Sequence, residues 1–275
     1  MAAWLETIAV LFIIALGIFA GRAISRLRYP LWMWGYFIPF IFIVILATIR
    51  YNHSLLFIPP FSWIIAGRLR FVVMALAVTI TLSTLALRLS HKTARLLTFV
   101  IMTVVVGWCS VLPFLAPALM KERLLGLPTI IDSDGVCMQT TDYTCAPAAA
   151  VTALAKFGLQ ADEGQLAVLS HTNPMAGTLP VCLSDALESL YGQKGLKCHY
   201  RRFDSIEQLR GAPVTLAVVK SSLLSDHCIA ILEVRDHKVS FADPASGKVT
   251  MSFEEFKKIW RFAGITLNIT HPDSV

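Results

Sequence analysis

The stretch QTTDYTCAPAAAVTALAKFG, residues 139–158, decides how the second half of this chain is read. Its first six residues are loop-like, and from Cys145 an alanine-rich helical run continues to Lys156, with Gly158 beyond it. Pro147 supports that register, because proline is favoured in the first helical turn. Cys145 therefore stands at a helix N-terminus, where unpaired N–H groups and the positive end of the macrodipole favour a thiolate. A lone cysteine is more often a small buried hydrophobe, so the position alone decides nothing. A nucleophilic thiol needs a base, and the base needs an orienting group.

Downstream of this stretch the periodicity predicts further helices over Asp162–Leu169 and Val181–Tyr191. Strands follow at Lys197–Phe203, Pro213–Val219, His227–Val234, Lys238–Ala242 and Val249–Met251. A helix at Phe253–Trp260 and a last strand at Ile265–Ile269 complete the pattern. Helices first and strands later give an α+β domain with a mostly antiparallel sheet. The turns at Asp236-His237 and Ser246-Gly247 are short enough for hairpins.

The hairpin supplies the missing partners. His227 opens an apolar strand and Asp243 closes the next one, so pairing of the two brings imidazole and carboxylate together as cross-strand neighbours. Asp226 is the weaker orienter, because adjacent strand residues face opposite ways. Cys228 packs away from His227. Gln139, six residues before Cys145, carries an amide able to act with the Cys145 N–H as an oxyanion donor. Taken alone, Asp243-Pro244 is an ordinary turn starter and Gln139 an ordinary loop residue.

Upstream the chain changes character. Residues 1–120 hold nine basic side chains and one acidic, whereas residues 121–275 hold fifteen basic and seventeen acidic. The excess of +6 thus belongs to the apolar half, which argues for charges flanking membrane spans and against nucleic acid. Four runs, Leu5–Gly21, Tyr29–Ile49, Phe71–Leu87 and Leu96–Met120, are long enough to cross a bilayer, and Glu6 is their one charge. Tyr51–Gly67, with Asn52-His53 and Pro59-Pro60, reads as a re-entrant or interfacial loop. Arginines follow the first run instead of preceding it, so it is a retained span and not a cleaved signal. The intervening loops with Arg22, Arg26, Arg28, Arg88, Lys92 and Arg95 face the cytoplasm. The opposite side holds Arg50, Arg68 and Arg70, joined by Lys121 and Arg123 if those are counted. With four spans, the N-terminus and everything after Met120 lie outside. The span centres hold no acid or base of the kind proton or ion translocation uses.

The six cysteines form no CxxC pair and no zinc-like spacing, so neither a metal nor an organic cofactor is expected. One or two disulfides remain open for a domain outside the cytoplasm.

Together, Gln139-Thr-Thr-Asp-Tyr-Thr-Cys145-Ala-Pro-Ala-Ala, Asp226-His227-Cys-Ile-Ala-Ile and Phe-Ala-Asp243-Pro-Ala-Ser-Gly247 resemble peptidase family C39. This is a papain-like group that cuts leader peptides in bacteriocin-exporting ABC transporters. The resemblance runs from about Asp134 to Ile269 and implies Cys145 as nucleophile, His227 as base, Asp243 as its orienter and Gln139 as oxyanion support. Family members usually carry glycine where Ala146 follows the cysteine. The chain has no G-x-x-x-x-G-K-[ST] phosphate loop, and its membrane part comes first, opposite to the exporter order. Neither the ABC transporter role nor the bacteriocin-leader substrate carries over.

The expected architecture is a multi-span α-helical membrane domain over 1–120, a polar linker over 121–134 and a papain-like α+β domain over 135–275. The expected activity is that of a cysteine peptidase acting on a peptide or protein. It would sit in a bacterial inner membrane with the domain outside, the bilayer as its second partner and separate export machinery as a third. A catalytically inactive peptide-binding module and a papain-like amidase or acyltransferase are the alternatives. A regulatory domain on a working membrane part is a further one.

Overall fold

The computed structural model describes residues 3–51, 55, 57–59, 61–62, 67–212, 214–222 and 225–269. Most of the stretch expected as an interfacial loop, including Asn52, His53 and Pro60, lies outside those residues, as does Pro213 at the start of one expected strand. Two compact units are present, Met1–Leu119 and Met120–Val275.

The first unit is built from helices α1 (Ala3–Ser25), α2 (Trp34–Tyr51), α3 (Leu69–Arg88), α4 (Lys92–Val106) and α5 (Leu112–Leu119). Four stretches, Trp4–Ser25, Leu31–Ile49, Leu69–Arg88 and Lys92–Leu119, are helical, long and apolar enough to cross a membrane. The fourth joins α4 to α5 through a π turn at Gly107–Val111, in which Leu112 donates its N–H back to the Gly107 carbonyl. Pro113 has no N–H to give to the turn before it, and a widened turn is one way to absorb that loss.

Helices α1 and α3 run parallel. Near their start Glu6 pairs with Arg68; near their end Arg88 donates to the Leu27 carbonyl at 2.8 Å. Between these points Gly17 and Gly21 let the backbones close. A Cβ at Gly17 would sit 2.0 Å from Thr79 Oγ1, and one at Gly21 would sit 2.7 Å from the Ile80 carbonyl. Small residues at a four-residue spacing are how helices approach each other in lipid, where apolar burial supplies no drive. The hydroxyls in this seam are satisfied within it: Thr79 donates to Ala75 O, and Thr84 to Ile80 O and Gly21 O. Arg68 also donates to the Pro113 carbonyl and lies over the Phe114 ring, so the fourth helix returns to the end where α1 begins.

The second unit has a six-stranded sheet, antiparallel throughout. Its order is β3 (Leu196–Arg202), β8 (Trp260–Ile269), β4 (Thr215–Lys220), β5 (Asp226–Arg235), β6 (Lys238–Asp243), β7 (Gly247–Ser252). The α+β layout with an antiparallel sheet is the one the sequence pattern implies. Side chains alternate between two cores. Leu216, Ala230, Ala242, Ile265 and Leu267 face one cluster with helices α7 (Cys145–Ala155) and α9 (Pro180–Tyr191). Ala217, Ile229, Ile231, Phe241 and Trp260 face the other with α11 (Phe253–Ile259). Helix α7 is buried on all sides from Ala146 to Leu154, and its alanines at 146, 148, 149, 150 and 153 belong to the same core cluster as the sheet residues. Asp236 and His237 both adopt positive φ, 47° and 58°, the geometry of a two-residue hairpin.

Residues 121–134, expected as a linker, fall in this unit and are partly regular. They carry helix α6 (Lys121–Leu125), with Leu124 fully buried, and strand β1 (Ile130–Ile131), which pairs with β2 (Cys137–Met138). Trp260, expected as the last residue of a helix, opens β8 instead. It is 1% exposed, packed among Phe203, Phe256 and Phe262.

Candidate active site

Helix α7 begins at Cys145 with Thr144 as its cap, but the Thr144 hydroxyl makes no capping bond. A cap oxygen ordinarily takes the N–H of the second or third helical residue. The third residue here is Pro147, which has none. Thr144 instead turns back into its own loop, where its hydroxyl takes the Thr141 N–H and meets the Thr141 hydroxyl. Among the described residues no protein acceptor takes the N–H of Cys145 or of Ala146, so two backbone donors stand open beside the thiol.

Nε2 of His227, in β5, lies 2.6 Å from Oδ1 of Asp243, the last residue of β6. The two are not directly opposed. The strand ladder closes at Ala230↔Ala242, so His227, three residues before it, meets Asp243, one residue after, on a diagonal. Asp243 is held in turn: Oδ1 also accepts the Ala245 N–H at 2.9 Å, and Oδ2 accepts the Ser246 hydroxyl at 2.8 Å. The Cys145 thiol lies close enough to the same imidazole to act on its protonation. With Nε2 committed to Asp243, Nδ1 is the nitrogen left for sulfur.

Electrostatics follow from these contacts. Burial by itself would lower the His227 pKa, but its hydrogen bond to Asp243, the nearby Cys145 thiol and their charges outweigh burial and lift it to about 9. Burial likewise works to raise Asp243. The hydrogen bonds from His227, Ala245 and Ser246 and the imidazole charge prevail, so its carboxyl lies below the usual range. Three other thiols are held protonated at neutral pH. Burial, with Glu163 and Asp162 nearby, pushes Cys137 up to about 12, and burial beside Glu188 does the same for Cys198. Burial, with Cys145 nearby, raises Cys228 well above its ordinary value. All six cysteines are free.

Gln139 follows β2. Its backbone N–H donates to the Pro244 carbonyl at 2.9 Å, and its side-chain Oε1 is buried without a hydrogen-bond partner. Ala146 is 7% exposed and packs in the α7 core cluster, so its methyl group points inward. Asp226 is turned to Arg261, whose Nε donates to it at 2.9 Å, leaving Asp243 as the carboxylate on the imidazole. Sequence reading passed over Ser246, although Asp-Pro-Ala-Ser is a side-chain-closed turn pattern that would have shown it. It passed over Glu163 and Thr140 altogether. Among the described residues no three His, Cys, Asp or Glu side chains are placed to hold a metal ion.

Comparison with known proteins bears on this half of the chain. An uncharacterized protein of Methanothermobacter thermautotrophicus is 29% identical over 146 residues, which is 53% of this chain and 95% of that protein. A second uncharacterized protein, from Methanothermobacter marburgensis, is 24% identical over 138 residues, 50% of this chain and 91% of the relative. Two solved structures are similar, each with a TM-score of 0.42. One is a double glycine motif protease from an AMS/PCAT transporter in complex with the leader peptide, at 18% identity over 52% of this chain and 94% of that one. The other is the peptidase domain of Streptococcus ComA, a bifunctional ABC transporter of a quorum-sensing pathway, at 21% identity over 48% and 96%. The family model for the peptidase C39 family matches residues 134–274, just over half of the sequence, and the chain therefore belongs to that family.

Proposed function

We propose that the second unit is a cysteine peptidase domain carried on a membrane anchor formed by the first. One observation carries this reading: a single imidazole is shared between a fixed carboxylate and a thiol at a helix start. In the proposed reaction the Cys145 sulfur attacks a peptide carbonyl, and His227 holds the thiol proton. The oxyanion takes the open Cys145 N–H and the amide of Gln139. His227 then protonates the leaving amine, the acyl group remains on sulfur as a thioester, and water releases it with His227 as base. Asp243 keeps the ring in one tautomer throughout. Family membership supports a peptide substrate.

Ala146, standing where the family usually has glycine, is the feature that favours a binding module without catalysis. Its burial in the core cluster weighs against that reading.

The anchor would place the peptidase domain outside the cytoplasm. The basic loops after α1 and after α3 lie at one end of that unit, tied by Arg88 to Leu27 O. At the other end Arg68 is paired with Glu6 and adds no net charge there. The charge difference between the two ends is thus larger than the bare count of arginines, and the basic end is the cytoplasmic one.

The test is labelling with a thiol-reactive peptidyl electrophile on wild type, Cys145→Ala and His227→Ala proteins. Selective modification at Cys145, lost with His227, is expected. Reaction at Cys145 no faster than at Cys182 or Cys198 would end the proposal.

A further inference from the structure

Among the described residues of the second unit, Glu163 is the one charged residue with no exposed surface, and the reaction as described above does not use it. Burying a carboxylate is costly unless it is hydrogen-bonded, so its partners indicate what it is for. Both come from one residue. Oε1 of Glu163 accepts the Thr140 N–H at 3.0 Å and the Thr140 hydroxyl at 3.0 Å. Its other oxygen is buried without a partner. Thr140 follows Gln139 directly, and the two consecutive N–H groups are held from different quarters, one by the Pro244 carbonyl and one by Glu163. Two residues earlier the Cys137 N–H donates to Thr152 Oγ1 on α7 at 2.8 Å. The backbone of Gln139 is thereby fixed to the helix of the thiol, to the turn after the carboxylate and to helix α8 (Glu163–Leu169). With its amide oxygen turned inward, the NH2 end of Gln139 is what remains for a ligand.

We propose that Glu163 is a positioning residue for the oxyanion donor: by gripping both donors of Thr140 it sets where the Gln139 amide stands relative to Cys145. This rests on the peptidase reading, in which that amide meets the oxyanion. An oxyanion donor matters to acyl transfer and not to simple alkylation of sulfur, which separates the two roles.

The full chain in detergent is to be assayed with two probes, iodoacetamide for alkylation and p-nitrophenyl acetate for acylation, each corrected with Cys145→Ala. Glu163→Ala is expected to slow acylation roughly tenfold or more, with alkylation within about twofold of wild type. Glu163→Gln, which keeps the accepting oxygen, should recover most of the acylation rate. Glu163→Ala/Gln139→Ala should be no slower than Gln139→Ala alone, since both act through one group. Equal slowing of both reactions, no slowing of either, or multiplying defects in the double variant would each overturn the role. Should Glu163→Ala fail to fold, Thr140→Val decides: it keeps the N–H, loses the hydroxyl, and must slow acylation without slowing alkylation. A wild type that alkylates at Cys145 yet acylates no faster than Cys145→Ala removes the peptidase reading itself, and the positioning role with it.

Discussion

The N–H of Gln139 donates to the carbonyl oxygen of Pro244 at 2.9 Å, so the residue after Asp243 holds the loop that leads to Cys145. Two segments more than a hundred residues apart are joined by one backbone hydrogen bond, and the joint lies between the proposed oxyanion donor and the proposed orienter. Moving either segment moves the other.

Removal of the amide is therefore expected to affect the transition state rather than binding. Gln139→Ala should lower kcat by about 10²–10³, with KM changed only a few-fold. Steady-state kinetics on a cleavable peptide, once one is identified, provide the check; a pure KM effect would assign Gln139 to substrate binding.

The imidazole sets the alkaline limit. With the His227 pKa at about 9, kcat/KM should stay level through neutral pH and decline as pH rises through about 9, where the proton needed by the leaving amine is lost. Asp243→Asn removes the largest raising influence, so the alkaline limb should move toward the ordinary histidine value of about 6.5. A limb that stays in place would show that Asp243 does not set the charge state of the ring.

The same pair links stability to pH. The raised His227 pKa gives a contribution fully present below about pH 6.5 and lost as pH rises through about 9. The depressed Asp243 pKa gives one present above the ordinary value of 3.8 and lost as pH falls through the folded value. From this pair alone, stability should be greatest between about pH 4 and pH 6.5 and should fall toward both sides. Denaturant midpoints of wild type and His227→Ala across that range test it, since the variant should lack the alkaline decline.

In the first unit Glu6 and Arg68 are 23% and 13% exposed and act as one group. Replacing either alone strands the other, at a cost of about 3–5 kcal/mol, whereas replacing both should cost less than the sum. Thermal unfolding in detergent of Glu6→Gln, Arg68→Gln and the double variant measures the coupling, and additive losses would contradict it.

Helix contact is testable at the seam. Gly21→Leu puts a side chain where a Cβ already comes within 2.7 Å of the Ile80 carbonyl and 2.8 Å of Ser83 Cβ. The α1–α3 contact should open, and a disulfide engineered across it in wild type should form far more slowly in the variant.

Much of this was legible in the sequence because it rests on local periodicity. The charge-free runs are the four apolar helical stretches, with ends moved by a few residues. The strands from 197 to 269 show the period of two, because the central ones separate two cores and the edge ones separate a core from solvent. What stayed hidden depends on contacts far apart in sequence. No local pattern distinguishes Glu163 from any acidic residue at a helix start, because its hydrogen-bond partners Thr140 and Thr129 are 23 and 34 residues away. The diagonal meeting of His227 and Asp243 was likewise out of reach, because it comes from a register fixed across the whole hairpin. The structure of α6 in the expected linker was missed because five residues are too few to show a period.

The ion pair at the start of α1 also bears on how the chain is made. Glu6 leaves the ribosome 62 residues before Arg68. In the proposed anchor the first helix would carry an uncompensated acid near its end until α3 arrives, and lipid would penalise it. The pair that compensates Glu6 exists only once the third apolar helix has been made, so in the proposed anchor α1 would be held provisionally until then. The last tie on the same arginine is made by the fourth helix, whose Pro113 carbonyl takes its remaining arm.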